Sequence, residues 1–141
     1  MYNKIILPTD GSTYADQAVE RATKLVADDG EIIVLSVAGK LTSSAFQSRK
    51  NVKKVNEGMK KEAKEAVEKM AAKFDDNLNV RKMVKTGFPA ETINEVAEKE
   101  GADLIVITSS GKSGIHKFII GSVAEKVLKT SDIDVLLVHN N

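Results

Sequence analysis

The sequence predicts an α/β domain in which helices cover both faces of a parallel sheet. Short apolar runs typical of strands alternate with longer segments whose apolar residues recur every three or four positions, in the order βαβαβαβαβ. One of these runs, Glu31–Val37, is apolar on both faces, as a central parallel strand should be. The 141 residues contain no linker or internal repeat, so we expect a single domain, residues 1–141.

The first half of the chain supplies two strands and two helices. Lys4–Leu7 is a short apolar run that ends at Pro8, and the turn Thr9–Ser12 leads into a helix with Ser12 as its expected N-cap. We expect Asp28–Gly30 to stop that helix before the second strand. The apolar residues of the first helix recur at helical spacing, at Ala15, Ala18, Ala22 and Leu25.

A long amphipathic helix is predicted over Asn51–Phe74, after a small, polar and irregular loop at Gly39–Ser48. Its outer face is rich in lysine, and glutamates are interleaved with the lysines. Simple solvation therefore explains that face better than a nucleic-acid patch does. The apolar stripe of this helix contains Val52, Val55, Met59, Ala63, Val67, Met70 and Phe74.

The second half continues the alternation. A third strand at Val80–Lys85 precedes a helix that has Pro89 near its first position and ends at Gly101. We expect Ile93, Val96 and Ala97 to form the buried stripe of that helix. The remaining elements are a fourth strand at Asp103–Thr108, a helix that begins at Ser122 and ends near Thr130, and a fifth strand at Asp134–His139.

Composition excludes several classes of function. The net charge of +1 argues against a general nucleic-acid binder. The chain has no cysteine and two histidines far apart, so we expect no thiol chemistry and no metal site made by the protein. The N-terminus shows no signal-peptide pattern, and no apolar run reaches the roughly 18 residues that a membrane span needs. We therefore expect a cytoplasmic protein without nucleic-acid or membrane partners.

The segment Thr108–Ser122 is a loop rich in glycine and serine between the fourth strand and the last helix. Such a loop lets the backbone approach a ligand closely. The helix that follows presents unpaired N–H groups and the positive end of its dipole. The sequence therefore predicts that this loop cradles the phosphates of a nucleotide.

Several short patterns together resemble the universal stress protein family over nearly the whole chain. That family's signature is glycine, two residues, glycine, nine residues, then Gly-Ser or Gly-Thr. Here Gly111 is followed by nine residues and then Gly121-Ser122, while Thr108 replaces the first glycine. Further matches are Pro8-Thr9-Asp10, Val37, Gly87-Phe88-Pro89 and the run Val135–Val138.

The resemblance implies an open five-stranded, Rossmann-like sheet of the adenine nucleotide alpha hydrolase-like type, with strand order 3-2-1-4-5. In that order the direction of winding changes between strands 1 and 4, where open α/β sheets bind ligands. The two walls of the crevice would be the turn at Asp10 and the loop Thr108–Ser122.

The resemblance also implies the ligand and the residues that bind it. The ligand would be ATP or AMP, with Mg²⁺ or Mn²⁺ held through the phosphates. Gly111, Gly121, Ser122 and the N–H of Val123 would approach the phosphates, with Lys112 adding charge. Asp10 would bind ribose or base, and Val37 would contact adenine. The full predicted set is Pro8, Thr9, Asp10, Val37, Thr108, Ser109, Ser110, Gly111, Lys112, Gly121, Ser122 and Val123.

Three of these positions have a second interpretation. Ser122-Val-Ala-Glu125 has the pattern of a capping box, so Ser122 is equally explained as the start of its helix. Asp10 precedes a glycine and is equally explained as a turn former. At Thr108 the hydroxyl would take over the ligand-binding role of the missing glycine, or the branched side chain would narrow the site.

We expect an adenine-nucleotide-binding regulatory protein of the stress response that acts as a homodimer. The alternative is a nucleotide-free dimeric interaction module on the same fold. We expect no enzymatic activity beyond slow ATP hydrolysis or self-phosphorylation, since no complete phosphate-binding loop of the Gly-x-x-x-x-Gly-Lys-Ser/Thr type is present. The dimer would form through Asp134–His139, an edge strand without charges in its apolar run.

Overall fold

The structure is a computed structural model that describes residues 1–12, 15–39, 49–109 and 120–139. Five strands and four helices alternate along these ranges. They are β1 (Tyr2–Pro8), α1 (Ala15–Leu25), β2 (Val26–Ala38), α2 (Arg49–Ala71), β3 (Asn79–Thr86), α3 (Pro89–Glu100), β4 (Leu104–Thr108), α4 (Ser122–Thr130) and β5 (Asp134–Val138).

The strands form one sheet in the order β3-β2-β1-β4-β5, and every neighbouring pair is parallel. The fold class and the strand order expected from the sequence are therefore confirmed. All five strands end at the same edge of the sheet, which we call the carboxyl edge. The strands β1 and β4 are neighbours in space but not in sequence, so the chain winds outward in opposite directions from them.

Two apolar cores lie on opposite faces of the sheet. Alternate residues of a strand point to opposite faces, so Ile5 and Leu7 of β1 pack with α1 and α2, whereas Ile6 packs with α3 and α4. Ile32 to Leu35 of β2 are at most 1% exposed because both of their faces are covered. The sheet, packed on both faces, therefore supports the turns and loops at its carboxyl edge.

The second strand begins five residues earlier than expected. Asp28–Gly30 does not end α1; the helix ends at Leu25, and Val26 already pairs with Tyr2. The register then shifts before the pair Lys4↔Glu31. Gly30 permits this irregularity, because a Cβ there would lie 2.8 Å from Val26 Cγ2 and 2.9 Å from the Asn3 carbonyl oxygen.

The long helix differs from expectation on its apolar stripe. Ala63, Val67 and Met70 are buried as predicted, and Phe74 is buried although it lies beyond the end of α2. Val55 is 47% exposed, so its assignment to the buried stripe was wrong. Met59, in the middle of α2, lies beside Gly39, the residue after β2, so the first half of α2 lies beyond the end of that strand. Val52 in this half is buried as predicted.

The third helix follows the local signals in the sequence. Pro89 begins α3, and Gly101 ends it in the left-handed conformation, with φ at 66°. Ile93, Val96 and Ala97 are buried as expected. Among the helices of the described ranges, none combines the length and the apolar character needed to cross a membrane.

Candidate functional site

A crevice opens between β1 and β4 at the carboxyl edge. These two strands pair only at Ile5↔Leu104 and Ile6↔Ile105. Beyond that point each strand stays paired with its outer neighbour, β1 with β2 up to Pro8↔Leu35 and β4 with β5 up to Thr108↔Val138. The two strand ends therefore separate from each other while both remain anchored, which is the geometry of a ligand site at a topological switch point.

The first wall of the crevice is a tight turn after β1. The Thr9 N–H donates to the Leu35 carbonyl oxygen at 2.8 Å, which ties the turn to β2. The Ser12 N–H donates to Asp10 Oδ1 at 2.9 Å, and the Gly11 N–H donates to Thr9 Oγ1 at 3.1 Å. Gly11 has a φ of 84°, which favours glycine. Asp10 is thus a turn former, and its carboxylate lies exposed at the crevice.

The second wall is organised by Ser109, the residue after β4. Its N–H donates to the Val138 carbonyl oxygen at 2.8 Å, and its carbonyl accepts from the Gly121 N–H at 2.6 Å. One residue therefore joins the end of β5 to the start of α4. The Ser109 side chain is 1% exposed, and its Oγ makes no hydrogen bond with the described part of the chain.

The helix α4 starts at Ser122, and its N-cap is Gly121, with φ −64° and ψ 155° and no side-chain cap. The capping-box interpretation of Ser122 was therefore wrong. Glu125 does not reach back to the helix start; its Oε1 accepts from Lys129 Nζ at 2.9 Å, and this contact lowers the pKa of Glu125. The N–H groups of Ser122 and Val123 belong to the first turn, where no intrahelical acceptor exists, so they are available to an anion.

Contacts with α3 hold α4 in place. Asn94 Nδ2 donates to Thr130 Oγ1 at 2.8 Å, and Lys126 pairs with Glu91, which lowers the pKa of that carboxyl. Ala124 and Val127 are buried against the sheet. The direction of the α4 dipole relative to the sheet is therefore fixed by packing on one side and polar contacts on the other.

A third group of residues lies at the carboxyl edge beside β2. Val37 is half-buried and pairs with Lys85 of β3. The Gly87 N–H donates to the Ala38 carbonyl oxygen at 2.9 Å, and Gly87 has a φ of 154°. A Cβ on Gly87 would lie 2.7 Å from Thr92 Oγ1, so this glycine serves the turn.

The structure brings most predicted site residues to the same edge. Nine of them lie at the ends of β1, β2 and β4 or at the start of α4, namely Pro8, Thr9, Asp10, Val37, Thr108, Ser109, Gly121, Ser122 and Val123. Ser110, Gly111 and Lys112 lie outside the described residues. In the described ranges no group of three His, Cys, Asp or Glu side chains is placed to hold a metal ion.

Sequence reasoning did not place the first half of α2 at this edge. In the sequence, the cations of this half are continuous with the lysine-rich outer face of the predicted helix. The available signal was the segment 49–56, which has four cations and no acidic residue. Phe88, 78% exposed at the start of α3, is a second residue at this edge, and the sequence marks it only as the middle of the Gly87-Phe88-Pro89 pattern.

Comparison with known proteins gives matches along the whole chain. Residues 1–139 match the universal stress protein family. Universal stress protein MJ0531 of Methanocaldococcus jannaschii is 32% identical over 140 residues, which cover 98% of this chain and 82% of that protein. Universal stress protein G of Shigella flexneri is 34% identical over 143 residues, covering 99% of this chain and 100% of that protein.

Solved structures share the fold. The structure of MJ0577, also from Methanocaldococcus jannaschii, is similar with a TM-score of 0.76 and 33% identity, covering 98% of this chain and 96% of that one. A universal stress protein in complex with cAMP is similar with a TM-score of 0.61 and 26% identity, covering 99% of both chains.

Proposed function

Because the chain belongs to the universal stress protein family, we propose that it binds an adenine nucleotide, ATP or AMP, in the crevice between β1 and β4. The observation that carries the proposal is the junction at Ser109. There the backbone carbonyl of Ser109 accepts a hydrogen bond from the N–H of Gly121, the N-cap of α4, and its buried hydroxyl has no hydrogen-bond partner in the described part of the chain. The relative that was crystallised with cAMP supports the choice of an adenine ligand. We assign the protein a regulatory role in the cytoplasmic stress response.

The phosphates occupy the start of α4 in this proposal. The N–H groups of Ser122 and Val123 donate to phosphate oxygens, and the exposed Ser122 hydroxyl adds a third donor. The Ser109 hydroxyl, which the described chain leaves unpaired, donates to a phosphate or ribose oxygen. The motif residues Ser110, Gly111 and Lys112 complete this cradle.

The nucleoside occupies the side of the crevice nearer to β2. Asp10 accepts hydrogen bonds from ribose or base, in addition to forming its turn. Val37 contacts adenine largely through its backbone, and Pro8 and Thr9 form the floor between them. The described chain supplies no metal cluster of its own, so Mg²⁺ or Mn²⁺ would be held by the phosphates.

The active unit is a homodimer that forms through β5. Among the described strands, β5 pairs with β4 alone, and its residues Val135 to Leu137 are apolar and half-buried at the edge of the sheet. An apolar edge strand is a template for a further strand. A second copy related by a two-fold axis pairs antiparallel with it and closes the assembly.

Thr108 favours a second candidate function. It replaces the first glycine of the signature, and it lies half-buried at the end of β4, beside the crevice. A branched side chain there reduces the room for a ribose or phosphate. The alternative is therefore a dimeric interaction module on the same fold that works without a nucleotide.

Calorimetric titration tests the proposal. ATP, ADP and AMP are titrated into the parent protein with and without Mg²⁺, and into a Gly121→Val variant. Valine tolerates the φ and ψ of Gly121, but its branched side chain fills the space before the helix start, so the affinity should fall at least about 100-fold. Heat from the parent alone supports the proposal. No heat with any nucleotide supports the nucleotide-free alternative.

A further inference from the structure

The first ten residues of α2 extend beyond the carboxyl edge of the sheet. Gly39 follows the end of β2, and a Cβ on it would lie 3.5 Å from Met59 Sδ. Met59 is thus level with the strand end, and Arg49–Gly58 lies beyond it. At a rise of 1.5 Å per residue this segment is about 15 Å long. We call Arg49–Gly58 the arm.

The second half of α2 is the part that packs against the sheet. Lys73, two residues after the helix, pairs with Asp16 in the first turn of α1. The end of α2 is thus tied to α1 by a side-chain ion pair. Apart from Val52, every buried residue of α2 lies in its second half, from Ala63 to Met70.

The arm carries a concentrated positive charge. Arg49, Lys50, Lys53 and Lys54 are exposed, and no ion pair of these four side chains occurs within the described ranges. With Glu57 as its one acidic residue, the net charge of the arm is +3, from four cations and one anion. The second half of α2, residues 59–71, carries four cations and three anions, for a net charge of +1.

This arrangement is unfavourable for an isolated helix. Arg49 and Lys53, and likewise Lys50 and Lys54, are like charges four residues apart, which repel each other on a helix surface. All four lie near the helix N-terminus, where the dipole already carries positive charge, and the first turn contains no acidic residue. A solvated helix face does not require this clustering of positive charge. The clustering is explained if the arm attracts an anion.

We propose that the arm attracts the anionic nucleotide toward the crevice and favours nucleotides with more phosphates. This inference rests on the proposed nucleotide site. It concerns the rate at which the ligand arrives and not direct contact with it, because α2 lies over β2 and β3 on one face of the sheet while α4 lies on the other face. From strand spacings near 4.8 Å and layer spacings near 10 Å, the arm and the start of α4 are about 20 Å apart.

The size of the effect follows from screened Coulomb attraction. At about 0.01 M ionic strength the Debye length is about 30 Å, so the arm acts across the crevice; at about 0.15 M it is about 8 Å, and the attraction is largely screened. Removing the four cations should therefore slow the association of ATP roughly tenfold at about 0.01 M. AMP carries about half the charge of ATP, so the same substitutions should slow its association about threefold.

The experiment measures association by stopped-flow fluorescence with the mant derivatives of ATP, AMP and uncharged adenosine, without added divalent cation. The arm variant replaces Arg49, Lys50, Lys53 and Lys54 with glutamine. The charge-matched control replaces four exposed lysines away from the arm, Lys64, Lys69, Lys82 and Lys99, with glutamine. A double variant, Arg49→Gln with Lys53→Gln, repeats the measurement with half the change in charge.

We expect the arm variant to lose association rate in the order ATP, AMP, adenosine, with no loss for adenosine and little change in the dissociation rate. The loss should disappear at high salt, and the control should keep most of the parent rate. Equal losses in the arm variant and the control, or a loss that does not depend on ligand charge or salt, would overturn the inference while leaving the nucleotide site in place. Failure of the parent to bind any of the three would overturn the proposed function itself, and this inference with it.

Discussion

The backbone N–H of Gly121 donates a 2.6 Å hydrogen bond to the carbonyl oxygen of Ser109. This bond spans the glycine- and serine-rich loop and fixes where α4 begins relative to the end of β4. Because it uses the N–H of Gly121, the N–H groups of the two following residues are the first ones left for a ligand. The candidate site thus depends on how a strand end is joined to a helix start.

Replacing Ser109 with alanine should weaken ligand binding without lowering the stability of the protein. The buried hydroxyl makes no hydrogen bond with the described chain, so its removal should leave the free energy of unfolding unchanged or raise it by about 1–3 kcal/mol. Nucleotide affinity should fall about tenfold, because one hydrogen bond to the ligand is removed. Thermal unfolding without ligand and calorimetry with AMP measure the two effects. A loss of stability together with unchanged affinity would show that the hydroxyl is structural.

Replacing Thr108 with glycine should increase nucleotide affinity if the threonine side chain narrows the crevice. The variant restores the glycine of the family signature and removes a branched side chain from the end of β4. The same change should lower the free energy of unfolding by about 1 kcal/mol, since glycine is disfavoured in a strand. Titrations with ATP and AMP compare the variant with the parent. Weaker binding by the variant would show that the Thr108 hydroxyl itself binds the nucleotide.

Substitution of Leu137 with proline should break the proposed dimer. The Ser109 N–H donates to the Val138 carbonyl, so Val138 faces β4, and the polar backbone groups of Leu137 face the open edge. Proline removes the outward N–H without removing a bond to β4. Light scattering should give twice the 15.3 kDa chain mass for the parent and the single-chain mass for the variant. A parent that stays monomeric at high micromolar concentration would contradict the dimer.

Two glycines should respond in opposite ways to alanine. Gly58 lies inside α2, and a Cβ on it would meet no atom within 4 Å, so Gly58→Ala should raise the free energy of unfolding by about 1 kcal/mol through helix propensity. At Gly30 a Cβ would lie within 3 Å of Val26 Cγ2 and of the Asn3 carbonyl oxygen, so Gly30→Ala should destabilise the fold. Chemical denaturation of both variants measures the difference. Equal effects would contradict the irregular start of β2.

The sequence predicts the sheet and its helices well because their signals are local. The caps of α3 illustrate this, since Pro89 and Gly101 each act through their own backbone conformation. The start of β2 could not be predicted, because Val26 becomes a strand residue by pairing with Tyr2, and the polar segment Asp28–Gly30 conceals the register shift. Pairing between distant residues leaves no periodic signal in either segment.

The candidate site was predictable as a set of residues but not in its geometry. The motif identified Ser109, Gly121 and Ser122, while their hydrogen bonds appear only in the folded chain. The capping pattern at Ser122 failed because the N-cap is Gly121 and Ser122 is already the first helical residue. The arm was missed for a related reason. Its charge pattern is visible in the sequence, whereas its position beyond the sheet depends on how far α2 is shifted along β2.

The proposed function depends most on a nucleotide binding where β1 and β4 separate. The most direct measurement is the change of backbone amide NMR signals when ATP or AMP is added to the isotope-labelled protein. We expect the amides of Thr9, Val37, Ser109 and Val123 to shift, and those at the far end of the sheet, such as Asn79 and Asp134, to stay unchanged. No shifts with either nucleotide, or shifts confined to residues away from the carboxyl edge, would contradict a nucleotide site in this crevice.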